Sequence, residues 1–234
     1  FNIAFRIPNL LRDLFAEGAM SAAFVPTFTR QLKERPAREA WAFAATVMTL
    51  LAVGLSAVAV LGMLLSPLLV SLFAEDFRHQ GGPGKFQLTV GLTRWMFPFL
   101  PMVALAAAAM GCLNARRKFF LPALAPAMFN VASIACAWVL APLLERHPAW
   151  GIDPVFTLAA GTLVGGLGQF LIQVPMLKRE GLTLMPRFDL LNPGVRRVAA
   201  LMAPGTLGLA AVQLNIFISS VFATQLGEGP VSWL

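Results

Sequence analysis

Charge is scarce in this sequence. Of its 234 residues, 12% are Asp, Glu, Lys or Arg, whereas 58% are hydrophobic. A soluble domain runs near about 25% charged, so there is too little charge to coat a water-facing exterior. The mean hydropathy of +0.73 agrees. Most of the surface must therefore face lipid. Cysteine is scarce as well. Cys112 and Cys136 both sit in apolar runs, which argues against a disulfide framework or a metal site and for two small buried hydrophobes. The two histidines, His79 and His147, fall in short connections and receive no role. No HExxH or GxSxG pattern is present. Nothing marks an intramembrane enzyme, and no cofactor is expected. The opening stretch contains charges and lacks a small-residue cleavage site, so it does not read as a signal peptide.

The charge that is present is biased. Lys and Arg number 18 against 11 Asp and Glu, for a net charge of +7. In a soluble protein that balance points to nucleic acid. Here the basic residues cluster in short connections between apolar runs, the pattern that orients membrane proteins. Nucleic acid is therefore set aside as a partner.

A helix needs about 20 apolar residues to cross a bilayer. Four stretches qualify at once: 41–73, 121–144, 155–177 and 198–222. The first exceeds the thickness of the hydrocarbon, so it should tilt or project beyond the membrane, and Pro67 can bend its far end. A fifth stretch, 86–113, carries one charge, Arg94, beside Trp95 and Phe97. That arginine reads as a residue snorkelling to the headgroups. A sixth stretch, 1–28, is long enough to span but contains Arg6, Arg12, Asp13 and Glu17.

The connections support six crossings. Arg30, Lys33, Arg35 and Arg38 follow the stretch 1–28. Arg116, Arg117 and Lys118 follow 86–113, and Lys178, Arg179, Arg187, Arg196 and Arg197 follow 155–177. These are twelve basic residues, against Arg78, Lys85 and Arg146 in the alternate connections. The positive-inside rule places the first set in the cytoplasm. The first span then runs inward, and at least one further helix is expected before it. The expected fold class is all-α, a polytopic transmembrane helix bundle with six spans, read as part of a longer protein.

The charged first span asks which way its charges point. An ideal helix turns by about 100° per residue, which places Arg6, Asp13 and Glu17 within roughly 40° of one another. Asn2 and Asn9 fall beside them, so the five residues share a stripe about 80° wide. The rest of the helix is mostly apolar, as expected of a helix that lines a polar cavity. Arg12 departs from the stripe, about 120° from Arg6, with Pro8 between the two arginines able to turn the helix. Two other readings stand beside the cavity: an ion-pair cluster that holds helices together, and an amphipathic helix on the membrane surface. In later spans, Asn130, Gln169, Gln213, Asn215 and Ser219 suit interhelical hydrogen bonds. The cluster Gly161, Gly165, Gly166 and Gly168 signals close helix packing. No Lys-Ser or Lys-Thr follows it, as a phosphate loop would need.

The stretch Phe5-Arg6-Ile7-Pro8-Asn9-Leu10-Leu11-Arg12, followed by Phe15-Ala16-Glu17-Gly18-Ala19 and Ala23-Phe24-Val25-Pro26, resembles the second helix of the MurJ (MviN) lipid II flippases. Supporting blocks are Leu113-Asn114-Ala115 with Pro122, Pro126 and Asn130; Gly165-Gly166 with Gln169 and Pro175; Pro186-Arg187; Arg196-Arg197-Val198 with Met202 and Pro204; and Val231-Ser232-Trp233. That family belongs to the multidrug/oligosaccharidyl-lipid/polysaccharide exporter superfamily. The resemblance implies helices two to seven of a fourteen-helix, two-lobe flippase in the bacterial inner membrane. It implies lipid II, a diphosphate-linked lipid, as cargo, membrane lipids as surroundings, and the cell-wall synthesis machinery as a possible partner. It puts Arg12 in a cavity that takes the lipid headgroup, with Arg6, Asn9 and Glu17 beside it. Asp13 falls where some relatives have Arg. The alternative within the superfamily is a polysaccharide-lipid flippase or a drug/cation antiporter. The wheel thus favours Arg6, Asp13 and Glu17, whereas the resemblance favours Arg12.

Overall fold

A backbone immersed in lipid has no water to bond with, so each span must satisfy its own N–H and C=O groups, and a helix does this within one segment. The computed structural model describes residues 1–13, 19–73, 82–147, 151–183 and 185–225. Among the described residues there are nine helices and no strand. They are α1 (Asn2–Arg12), α2 (Ala19–Glu34), α3 (Ala37–Phe73), α4 (Gly82–Met96), α5 (Phe99–Ala115), α6 (Phe120–Arg146), α7 (Phe156–Leu171), α8 (Val174–Glu180) and α9 (Pro193–Gln225). Among the described residues, five stretches are long and apolar enough to cross a membrane: Ala37–Phe73, Gly84–Ala115, Phe120–Arg146, Phe156–Glu180 and Pro193–Val212. The expected span at 1–28 holds α1 and α2 and includes residues 14–18, which lie outside the described residues. So do Arg78, His79 and the block from Val231 to Trp233.

Proline decides where these helices break and where they continue. A proline supplies no N–H to the carbonyl four residues earlier. The expected span 86–113 is carried by two helices, α4 and α5, which meet at Phe97 and Pro98. There the Phe97 carbonyl, which Pro101 cannot serve, accepts from Leu100 N–H at 3.1 Å. The stretch 155–177 divides in the same way, into α7 and α8, just before Pro175.

Helix α3 runs instead through Pro67 for 37 residues, a length of about 55 Å. The carbonyl that Pro67 leaves free is that of Met63. It accepts from Ser66 Oγ at 2.9 Å and from Arg94 Nε at 3.2 Å, and Arg94 Nε also donates to Ser66 Oγ at 2.9 Å. Arg94 is therefore more than a snorkelling charge. It crosses from α4 to repair a backbone acceptor in α3. One turn before Ser66, Gly62 lets the Phe97 ring lie directly against α3, where a Cβ would collide with the ring.

Helix α5 forms the centre, touching α1, α2, α3, α6, α7 and α8. Its run Ala106 to Ala109, with Gly111, is buried, and such small side chains let neighbouring backbones approach closely. Helix α6 lies at the outside and packs mainly on α7. Its outer face is apolar, with Trp138 84% exposed, as suits contact with hydrocarbon. The seam between α6 and α7 is made by the glycines. A Cβ on Gly161 would stand 2.8 Å from Ser133 Cα, and one on Gly165 would stand 2.9 Å from Phe129 Cα. Gly168, by contrast, has only Met128 Cβ nearby, at 3.9 Å.

The connections rich in basic residues meet at one end of the bundle. Glu180 at the end of α8 accepts from Arg116 Nε at 2.8 Å and lies 3.8 Å from Lys118 Nζ, beyond α5. The backbone N–H of Arg187 donates to Thr49 Oγ1 of α3 at 3.1 Å. Beneath them, the rings of Phe24, Phe28, Phe43 and Trp41 stack or tilt together at centroid distances of 5.2 to 6.0 Å.

These contacts are open to two tests. In the full-length protein, Gly165→Leu should lose about 1–3 kcal/mol of stability through overpacking, whereas Gly168→Ala should be neutral or stabilising; thermal unfolding in detergent reads both. Arg94→Leu should cost about 1.5–3 kcal/mol by removing the charged donor from the Met63 carbonyl, which then keeps only Ser66 Oγ. Adding Pro67→Ala to that variant should recover much of the loss, because the new N–H at position 67 takes the carbonyl back. Equal melting temperatures for the single and double variants would contradict this account.

Candidate functional site on the first helix

Helix α1 packs on α4 and α5, and to a lesser extent on α3. Its buried residues are Ile3, Ala4, Ile7 and Pro8. On the ideal wheel they fall within one arc about 140° wide. The polar residues occupy the opposite arc, about 120° wide, from Arg12 through Asn9 and Asp13 to Arg6. All four are half-buried. Helix α1 thus has one face committed to the bundle and one face kept polar.

Arg12 belongs to the polar face. Its Nη2 donates to Asp13 Oδ1 at 2.7 Å, and its Nε to the same oxygen at 3.1 Å. Neighbours in a helix do not face each other, but the long arginine side chain folds back to reach the carboxylate. The pair is neither sealed nor fully wet, since the side chains of Arg12 and Asp13 are 23% and 29% exposed. Arg12 and Asp13 are therefore joined, although the ideal wheel set them about 100° apart. Of the ion-pair cluster expected as one reading of this helix, this pair is present. Among the described residues Arg6 makes no ion pair. It lies on the same polar half of α1, two turns before Asp13. Glu17, the fourth charged residue of the motif, lies outside the described residues.

Asn9 sits between Arg6 and Arg12 along this face. Its Oδ1 is buried and accepts no hydrogen bond among the described residues. A buried acceptor without a donor costs about 1–3 kcal/mol, so it is a position where an incoming donor would be favoured. Chemically, the face offers two guanidinium groups, one carboxamide and one carboxylate. Planar guanidinium groups bind phosphate and carboxylate oxygens in pairs of parallel hydrogen bonds.

A second buried polar residue, Gln173, has no counterpart among the candidates read from sequence. It is 1% exposed. Its Nε2 donates to the Ala106 carbonyl of α5 at 3.1 Å and to the Gln169 carbonyl of α7 at 2.8 Å, while Oε1 has no partner among the described residues. Gln173 pins the break between α7 and α8 to the central helix. The signal was Pro175 two positions later, which forces a turn that must be capped from somewhere. Of the polar residues assigned to interhelical bonds, Ser219 bonds within its own helix instead, donating to the Asn215 carbonyl at 2.9 Å.

Comparison with known proteins agrees with this architecture. The family described as "Lipid II flippase MurJ" matches residues 1–234. The "Lipid II flippase MurJ" of Burkholderia cenocepacia is 40% identical over 238 residues, covering 100% of this chain and 44% of the relative. The "Probable lipid II flippase MurJ" of Vibrio cholerae is 36% identical, with 100% of this chain and 44% of the relative covered. That of Haemophilus influenzae is 35% identical, with 100% and 46% covered. The chain therefore spans less than half the length of the curated relatives it matches. With five stretches among the described residues long and apolar enough to cross a bilayer, it is part of a multi-pass membrane protein. It belongs to the family of lipid II flippases called MurJ.

Proposed function

We propose that the protein containing this chain moves lipid II, the undecaprenyl-diphosphate-linked peptidoglycan precursor, from the inner to the outer leaflet of the bacterial cytoplasmic membrane. The observation that carries this reading is the polar face of α1. It keeps Arg6, Asn9 and Arg12 off the bundle and half-accessible on an otherwise apolar helix. Charges at membrane depth are costly unless they face a polar cavity or each other. An anionic headgroup would meet them with the geometry that guanidinium favours.

On this reading, Asp13 holds Arg12 in place until cargo arrives. A diphosphate competes with the carboxylate for the same two donors. Arg6, one and a half turns earlier, supplies a second positive charge, and Asn9 supplies a carboxamide whose amide donors suit an oxyanion. Glu17 is assigned to the same cavity by its place in the motif. The polyprenyl tail stays in lipid while the head crosses, and the two lobes rock about a midplane site in alternating access. No covalent bond is made or broken, so no catalytic group is needed. The names of the relatives favour lipid II over a polysaccharide-lipid or a drug as cargo. The cell-wall synthesis machinery is the natural recipient of the product.

Complementation tests this. The full-length protein should restore growth to bacteria depleted of their own lipid II flippase. Arg12→Ala should reduce rescue to the level of empty vector at normal membrane abundance, and Arg12→Lys should rescue poorly because ammonium cannot copy the bidentate contact. Asp13→Asn should keep rescue. If the Arg12–Asp13 pair served only to hold the fold, Arg12→Ala and Asp13→Asn would fail together and abundance would fall in both.

A further inference from the structure

Among the described residues, the connection between α8 and α9 carries four exposed hydrophobic side chains, Met185, Phe188, Leu190 and Leu191. They lie among Lys178, Arg179, Arg187, Arg196 and Arg197. Large apolar groups exposed at a strongly basic end suit a membrane interface, where both kinds of side chain find a partner.

Two hollows flank this connection, and Phe188 lines both. The first is polar, with a volume of about 450 Å³, and is bordered by Arg35, Thr46, Arg187, Asp189 and Asn192. Within it Arg35 is engaged by Glu39, Nη1 to Oε2 at 3.1 Å. Arg187 is exposed, and among the described residues its guanidinium makes no ion pair. The second hollow is almost wholly apolar, with a volume of about 420 Å³, and is bordered by Met48, Val53, Leu105, Phe170 and Met185. Along α3 it extends about 10 Å beyond Thr46 toward the middle of the span. The backbone N–H of Arg187, bonded to Thr49 Oγ1, fixes the boundary between the two.

A polar hollow at headgroup level and an apolar groove running from it into the hydrocarbon have the shape of an amphiphile. We propose that this place is a binding site for one anionic phospholipid of the cytoplasmic leaflet. Its phosphate lies on Arg187 and one acyl chain lies in the groove along α3. The guanidinium selects negative charge, the apolar groove selects a chain, and the positive-inside rule places this end at the leaflet rich in anionic lipid. The site is built from α3, α5, α7 and the connection before α9, not from the polar face of α1. It does not depend on which cargo the protein carries.

The test uses the full-length protein in mixed micelles with phosphatidylglycerol or phosphatidylcholine carrying a photoreactive group in one acyl chain, and adducts are mapped on peptides. Phosphatidylglycerol should label residues 48–53 and 182–188 several-fold more than phosphatidylcholine. Arg187→Gln should bring phosphatidylglycerol down to the phosphatidylcholine level. Val53→Trp, at an exposed position, should fill the groove and remove labelling by both. Elution as a single species checks that each variant is folded. Equal labelling by the two lipids in the unaltered protein, or labelling that ignores either substitution, would overturn the proposal. So would displacement of phosphatidylglycerol from these residues by undecaprenyl phosphate but not by unlabelled phosphatidylglycerol, because the site would then belong to the cargo.

Discussion

The structure depends on one constraint: a backbone carbonyl in lipid must find a donor inside the protein. The sequence strains this constraint with proline: Pro8, Pro26, Pro67, Pro126, Pro142 and Pro204 stand inside helices, where each removes a donor from the ladder. Three outcomes are visible. Between α4 and α5 the helix breaks, and the orphaned Phe97 carbonyl accepts from Leu100. Between α7 and α8 it breaks again, and Gln173 ties the break to the central helix. In α3 it does not break, because Ser66 and Arg94 serve the Met63 carbonyl. A charged side chain that looks costly in a membrane is here a second donor, beside Ser66, to the carbonyl that Pro67 leaves free in a helix of 37 residues.

Small residues solve the complementary problem of cohesion. Lipid gives helices no hydrophobic reason to associate, so they hold together by close contact. The alanine run of α5 and the glycine seam of α7 bring backbones together where any larger side chain would intrude. The result is a firm platform against which α1 lays its apolar face. Because that face is used up in packing, the polar face has only one direction left. The orientation of Arg6, Asn9, Arg12 and Asp13 is thus a consequence of which residues of α1 are apolar. It needs no special device of its own.

The same division of polar and apolar surface recurs at the basic end. There the connection before α9 exposes both arginine and large hydrophobic side chains. In water that combination would be a liability. Beside a bilayer it suits the interface, where arginine can meet headgroups and large apolar side chains can meet hydrocarbon.

The sequence by itself determined the solvent, the helical class and the character of the first helix. Scarce charge required a lipid environment, and lipid required helices. The motif from Phe5 to Pro26 carried the family, because its charges stand at fixed spacing in a stretch that hydropathy alone would demote. The glycines of α7 were legible as packing residues because a mid-membrane cluster has few other uses. What needed the tertiary structure were relations between side chains and segments that spacing alone does not encode. An ideal wheel set Arg12 apart from Asp13, but a flexible side chain folded back and joined them. Arg94 read as snorkelling because its acceptor, the Met63 carbonyl, lies 31 residues away. Gln173 went unnoticed because its partner, the Ala106 carbonyl, lies 67 residues away. Local periodicity encodes which face of a helix is apolar. Which neighbour that face meets, and which carbonyl an arginine repairs, is decided only when the helices pack.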